Sequence, residues 1–308
     1  MGGAGEFHGK TTCVDCVSMT DRALITIVKG GLGNQLFIYA AARAMALRTG
    51  RQLYLDAVRG YLGDDYGRSF RLNRFPIEAE LMPEQWRVAS TLRHPRAKLV
   101  RALNKYLPEA WRFYVAERGD TRPDALWNHG RKVKRVTLMG YWQDEAYFLD
   151  YAELLRRELA PPMPDAPEVR ARGARFAGTE SVFLHVRRYR YSPLLDAGYY
   201  QKAVDMACAE LSKPVFMIFG DDIEWVVNNI DFRGAGNERQ DYDESDELAD
   251  LWLMTRCRHA IIANSSFSWW AAWLGGAAGS GRHVWAPGQS GLALKCAKSW
   301  EAVDAQPE

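Results

Sequence analysis

The sequence predicts two α/β halves, each built on a parallel sheet, and three observations carry that expectation. Residues 24–29, LITIVK, read as a strand that runs straight into the glycine-rich stretch 30–35 and then a helix, the start of a Rossmann-like unit. From residue 181 onward strands and helices alternate again, the pattern of a second such unit. Between the halves, residues 160–167, APPMPDAP, carry Pro161, Pro162, Pro164 and Pro167, which stop regular structure and mark a linker. The expected division is an N-terminal extension over 1–20, one Rossmann-like domain over 21–165 and a second over 166–308.

In the first half, Asn34 is a suitable N-cap for a helix over 36–48, which is rich in Ala and Leu and meets Gly50 as its stop. A strand over 52–56 follows. Residues 87–122 have a helical pattern in which Arg93, Arg96, Lys98, Arg101 and Lys105 alternate with Leu92, Leu99, Leu103 and Leu107. Two readings stay open there: a solvated helix face over a core, the commoner arrangement, or a face lying on an anionic membrane surface. A strand over 136–140 then leads to Tyr141, Trp142 and Gln143, and a helix is expected over 150–159.

In the second half the expected strands are 181–186, 214–219, 260–263 and 284–286. The helices between them cover 199–211, a short stretch holding Trp225, 243–258 and 267–274.

Forty Lys and Arg against thirty-eight Asp and Glu leave a net charge of only +2, which argues against a general nucleic-acid binder and leaves local patches to carry the electrostatics. Asn264, Ser265, Ser266 and Ser268 interrupt the best apolar run, so no stretch reaches the ~20 apolar residues of a membrane helix. The first twenty residues lack a secretory pattern. The five cysteines are scattered, and the Cys13/Cys16 pair has no second pair to complete a zinc site. A cytoplasmic protein with no metal is the expectation.

The chemistry concentrates in two places. Residues 181–191, SVFLHVRRYRY, form a buried strand that delivers His185, Arg187, Arg188 and Arg190 to its carboxyl end. Ligands bind at that edge of open α/β sheets, and guanidinium groups suit phosphate. Ser265 and Ser266 fall where a strand hands over to a helix, so hydroxyls and free N–H groups converge on an anion. Asp250 sits among Leu248, Leu251, Trp252 and Leu253. It either faces solvent or meets a partner with two adjacent N–H donors, such as the edge of guanine.

Five segments in order, GGLGNQLF (30–37), GYWQDEAYF (140–148), HVRRYRY (185–191), FGDDIEW (219–225) and the run from Asp250 to Gly275, resemble the bacterial-type α-1,2-fucosyltransferases of glycosyltransferase family eleven. The resemblance implies a B-type glycosyltransferase fold, two Rossmann-like domains facing each other across a cleft. It implies metal-independent, inverting transfer of fucose from GDP-fucose, with no cofactor, to an oligosaccharide or lipid-linked glycan. By the same resemblance Arg187 and His185 are the catalytic pair, and Arg188, Asp250, Asn264, Ser265, Ser266 and Phe267 bind the donor. Gly31, Gly33, Asn34, Gln35, Tyr141, Gln143 and Arg190 are the cleft and acceptor candidates. The family motif reads HxRRxDY, whereas this chain has Arg190 at the aspartate position and Tyr189 in place of the preceding small residue. That cation in place of a carboxylate points to an acidic or phosphorylated acceptor. Three alternatives stand beside this reading: another nucleotide-sugar, a non-catalytic GDP-sugar-binding module, and a metal-dependent transferase using the Asp241-x-Asp243 pair.

Overall fold

The computed structural model describes residues 22–88, 99, 102–118, 123–189, 193–240, 247–276, 281–288 and 294–304. Two sheets organise them, and every strand pairing in both is parallel. The first contains β1 (Ala23–Ile27), β2 (Gln52–Asp56), β3 (Glu80–Leu81), β4 (Tyr114–Ala116) and β5 (Arg135–Met139) in the order β3-β2-β1-β5-β4. The second contains β6 (Ser181–Val186), β7 (Val215–Gly220), β8 (Gly236–Arg239), β9 (His259–Ile261), β10 (Val284–Pro287) and β11 (Glu301–Val303) in the order β11-β10-β9-β6-β7-β8. Parallel strands need crossovers, and helices on both faces bury them. Hence β1 and β6 are predominantly apolar and buried at every position.

One helix from each half closes the gap between the sheets. The Leu32–Thr49 helix is buried through most of its length, because one side covers β1 and β2 while the other meets the Ser266–Gly275 helix. Aromatic rings fill the seam: Phe37 lies 4.5 Å from Trp269 and 5.0 Å from Trp270, and Phe148 stacks on Trp270 at 5.5 Å. Arg156 adds a guanidinium 4.1 Å above the Trp273 ring and donates to the Gly276 carbonyl at 2.9 Å. A single apolar core therefore runs from β1 through both helices to β9 and β10.

Several expectations need correction. The first helix starts at Leu32 with Gly31 as N-cap, so Asn34 is not the cap. It lies in the first turn, and its side chain is engaged elsewhere. A continuous helix over 87–122 is overturned by the short turn at Glu109–Trp111 and by β4, where chain pairing overrides the amphipathic pattern; Arg93, Arg96, Lys98 and Arg101 lie outside the described residues. The strand expected over 24–29 ends at Ile27. The expected 243–258 helix is described over Glu247–Arg256. The Pro167–Gly178 helix was not anticipated, although Pro167 at its first turn is a favoured start. It packs through Gly173, whose missing Cβ admits the Trp252 ring.

The two central helices meet backbone to backbone. A Cβ on Gly33 would stand 2.5 Å from the Phe267 nitrogen, a distance no side chain tolerates. Gly31, two residues earlier, has open space where its Cβ would be. Gly33→Ala should therefore force the sheets apart and cost roughly 1–3 kcal/mol of stability, read as a lower urea midpoint. Gly31→Ala should leave that midpoint nearly unchanged. Equal midpoints for the two variants would contradict the contact.

Candidate active site

In the first sheet the strand order reverses between β1 and β5, and in the second between β6 and β9. Crevices open at the carboxyl ends of such neighbouring strands. The segments following those four strands are 28–31, 140–143, 187–189 and 262–267, and they hold most of the candidate residues.

On the first-sheet side the glycine turn is tied down from beneath. Gln35 is buried and its amide is fully used: Nε2 donates to the Gly30 and Ser69 carbonyls, and Oε1 accepts from the Arg71 N–H. It shapes the turn, and it offers no free group to a ligand. Asn34 Oδ1 accepts from Gln143 Nε2 at 2.8 Å, joining the turn to the loop after β5. Lys29 Nζ stands 4.1 Å from the centre of the Tyr141 ring. Burial lowers the Lys29 pKa, with Glu117 partly opposing the shift. Glu117 also accepts from the Tyr141 and Trp142 N–H groups. Trp142 has φ +55° and is fully buried, a costly conformation for a bulky residue that Glu117 and the packing around the indole hold.

On the second-sheet side Asp221, just past β7, organises the basic segment. Its carboxylate accepts from the N–H groups of Arg188 at 2.7 Å and Tyr189 at 3.0 Å, and pairs with Arg187 Nη1 at 3.0 Å. Gly220 allows this turn: at φ +141° any Cβ would collide with the Val186 carbonyl. Arg187 stays one-third exposed. Arg188 faces away, its guanidinium 4.0 Å above the Trp225 ring and within 3.7 Å of Asp222. Arg190, Asp241 and Asp243 lie outside the described residues.

The helix after β9 starts at the same point. Ser265 caps it, accepting from the Phe267 N–H, and Asn264 donates to the Pro193 carbonyl. Ser266 and Phe267 are half-buried beside Gly33. Phe267 lies 6.0 Å from the His185 ring. His185 Nδ1 is buried without a hydrogen-bond partner, and burial reinforced by Arg187 pulls its pKa down to about 3. Neither the Leu32–Thr49 nor the Ser266–Gly275 helix has an acidic residue in its first turn. Two helix N-termini with no acid in the first turn, each carrying a partial positive charge, thus converge, and Arg187 follows the strand whose His185 ring lies 6.0 Å from Phe267.

Residues 23–281 match the Glycosyl transferase family 11 profile. The chain belongs to this family. Among curated relatives, an Escherichia coli alpha-1,2-colitosyltransferase is 30% identical over 82% of this chain and 87% of its own length. The Escherichia coli O-antigen biosynthesis glycosyltransferase WbnK is 28% identical over 82% of this chain and 90% of its own. The mouse (Mus musculus) galactoside 2-alpha-L-fucosyltransferase Sec1 is 28% identical over 84% of this chain and 66% of its own. This family 11 chain is thus a glycosyltransferase, and its two parallel sheets with carboxyl edges turned to one cleft form the B-type arrangement.

Asp250 in this glycosyltransferase is half-buried on the Glu247–Arg256 helix, one turn beyond Glu247 and on the same face. Glu247 reaches across to the other half: Arg71 Nε lies 3.4 Å from its carboxylate, and burial raises its pKa against the pull of Arg71. Lys29, Glu117, Asp221, Glu247 and Arg71 were not among the residues expected at the site. The Gly-Asp-Asp ending of β7 was the sequence signal for Asp221. Nothing local announces the others.

His185 yields a pH test. Its folded-state pKa of about 3 lies below the ordinary 6.5, so between those values the unfolded chain binds a proton that the folded chain refuses. Stability should fall as pH drops from 6.5 toward 3, and His185→Gln should flatten that fall in part, since His129 and His259, also depressed by burial, and Asp205 and Glu238, held low by their arginine partners, contribute to it as well. Urea midpoints across this range measure it. An unchanged slope in His185→Gln would show that His185 is not held neutral.

Proposed function

We propose that this chain transfers L-fucose from GDP-fucose to O2 of a β-galactoside, with inversion and without a metal ion. The observation that carries the reading is the convergence of two acid-free helix N-termini with Arg187, an arrangement suited to a diphosphate. The 166–308 half holds the donor and the 21–165 half receives the acceptor. As the bond from fucose C1 to the β-phosphate oxygen breaks, negative charge grows on GDP and positive charge spreads over the sugar ring. Arg187 and the N–H group at Ser266 meet the growing anion. Neutral His185 supports Arg187 without competing for the phosphate as a second cation. Asp250 accepts from the guanine edge, and Tyr141, Gln143 and Asn34 line the acceptor side. The relationship to the galactoside 2-alpha-L-fucosyltransferase supports the linkage and the sugar.

The colitosyltransferase relative favours a second reading, with a different nucleotide-activated sugar as donor and the same cleft. A panel of GDP- and UDP-sugars, with EDTA present, separates the two. Turnover of GDP-fucose in EDTA supports the first reading, and turnover of another sugar alone supports the second. Asp250→Asn should weaken GDP binding while leaving the weaker ADP binding unchanged; equal wild-type affinities for GDP, ADP and UDP would remove Asp250 from the guanine site.

Arg187→Lys keeps the charge and loses the planar fork. It should lower kcat by roughly 10²–10³-fold while donor KM changes little, as expected when the interaction strengthens in the transition state. A rise in KM at constant kcat would instead make Arg187 a ground-state binding group.

A further inference from the structure

We propose that the outer edge of the first sheet, around residues 102–112 and 130–134, docks on an anionic lipid bilayer. Large apolar side chains point outward there: Leu99 is 61% exposed, Leu103 54%, Tyr106 74% and Trp111 49%. The backbone beneath them is firmly held. Asn104, itself buried, donates to the Tyr114 carbonyl at 2.6 Å and accepts from the Phe113 and Tyr114 N–H groups. Gly130 N–H donates to the Glu109 carbonyl and Lys132 N–H to that of Ala110. The anchoring side chain faces in and the apolar ones face out, so their exposure follows from the fold.

Charge selects the partner. Lys105, Arg112, Arg131, Lys132 and Lys134 stand against a single carboxylate, Glu109, among the described residues of these segments. Lys105 Nζ lies 4.8 Å from the Tyr106 ring and Lys132 Nζ 5.5 Å from that of Trp111. Aromatic rings flanked by lysines suit a headgroup layer, where the ring enters the boundary and the ammonium stays with the phosphates. Two copies of this face would oppose like charges, which disfavours self-association through it. Among the described residues no helix is long and apolar enough to cross a membrane, so the contact is peripheral.

The full chain should co-sediment with vesicles of phosphatidylglycerol and phosphatidylcholine but not with phosphatidylcholine alone, and salt should release it. Lys105→Ala and Lys132→Ala should each weaken partitioning about fivefold, and Tyr106→Ser with Trp111→Ser should abolish it. GDP affinity should stay at the wild-type value in all three variants, since the surface lies outside the cleft. Three results would overturn the proposal: no binding to anionic vesicles, equal binding to both vesicle types, or variants that partition like wild type. Conversion of a lipid-free dimer to monomer by Trp111→Ser would also overturn it, because the face would then belong to a second copy of the chain.

Discussion

The backbone contact at Gly33 is the constraint on which the rest depends. Without a Cβ, the first turn of the Leu32–Thr49 helix settles on the backbone of Ser266 and Phe267. That approach brings Phe37 within reach of Trp269 and Trp270 and lets Arg156 cap the far end of the Ser266–Gly275 helix. Close-packed aromatic interiors tolerate little movement. The relative position of the two sheets, and hence the width of the crevice between their carboxyl ends, follows from one glycine and the rings stacked behind it.

The same contact creates an electrostatic imbalance. Two helix N-termini, each worth about half a positive charge, meet with no carboxylate in either first turn. Lys29 adds a cation whose ammonium form is already disfavoured by burial. Asp221 offsets part of this, but its charge is divided among two backbone N–H groups and one guanidinium.

Two positive-φ turns lie at the carboxyl ends of strands beside the cleft. Gly220 and Trp142 both occupy positive-φ conformations at strand ends, one to bring Asp221 under the basic segment and the other to turn Tyr141 toward Lys29. In both cases a part-buried carboxylate, Asp221 or Glu117, accepts two N–H groups and holds the turn. Such strain persists where surrounding bonds over-determine the backbone.

Sequence alone determined the alternation of strands and helices, since the apolar runs at residues 53–55, 182–184 and 215–219 have the composition that burial on both sheet faces requires. It also determined that His185 and Arg187 stand at a strand's carboxyl end and that Ser265 and Ser266 open a helix, because strand and cap signals are local. Tertiary structure decided how those residues are used. Asn34 reads as a cap, yet it bonds Gln143, 109 positions away. Gln35 reads as a cleft residue, yet Ser69 and Arg71 consume its amide. Arg187 and Arg188 are neighbours of the same type, and only the positions of Asp221 and Trp225 turn one toward the cleft and the other away. Glu247 and Arg71 meet across the two halves with no sequence signal at all. A capping or strand propensity is set by a few adjacent residues, whereas a side chain's partner is set by which distant segments the packing brings within hydrogen-bond reach.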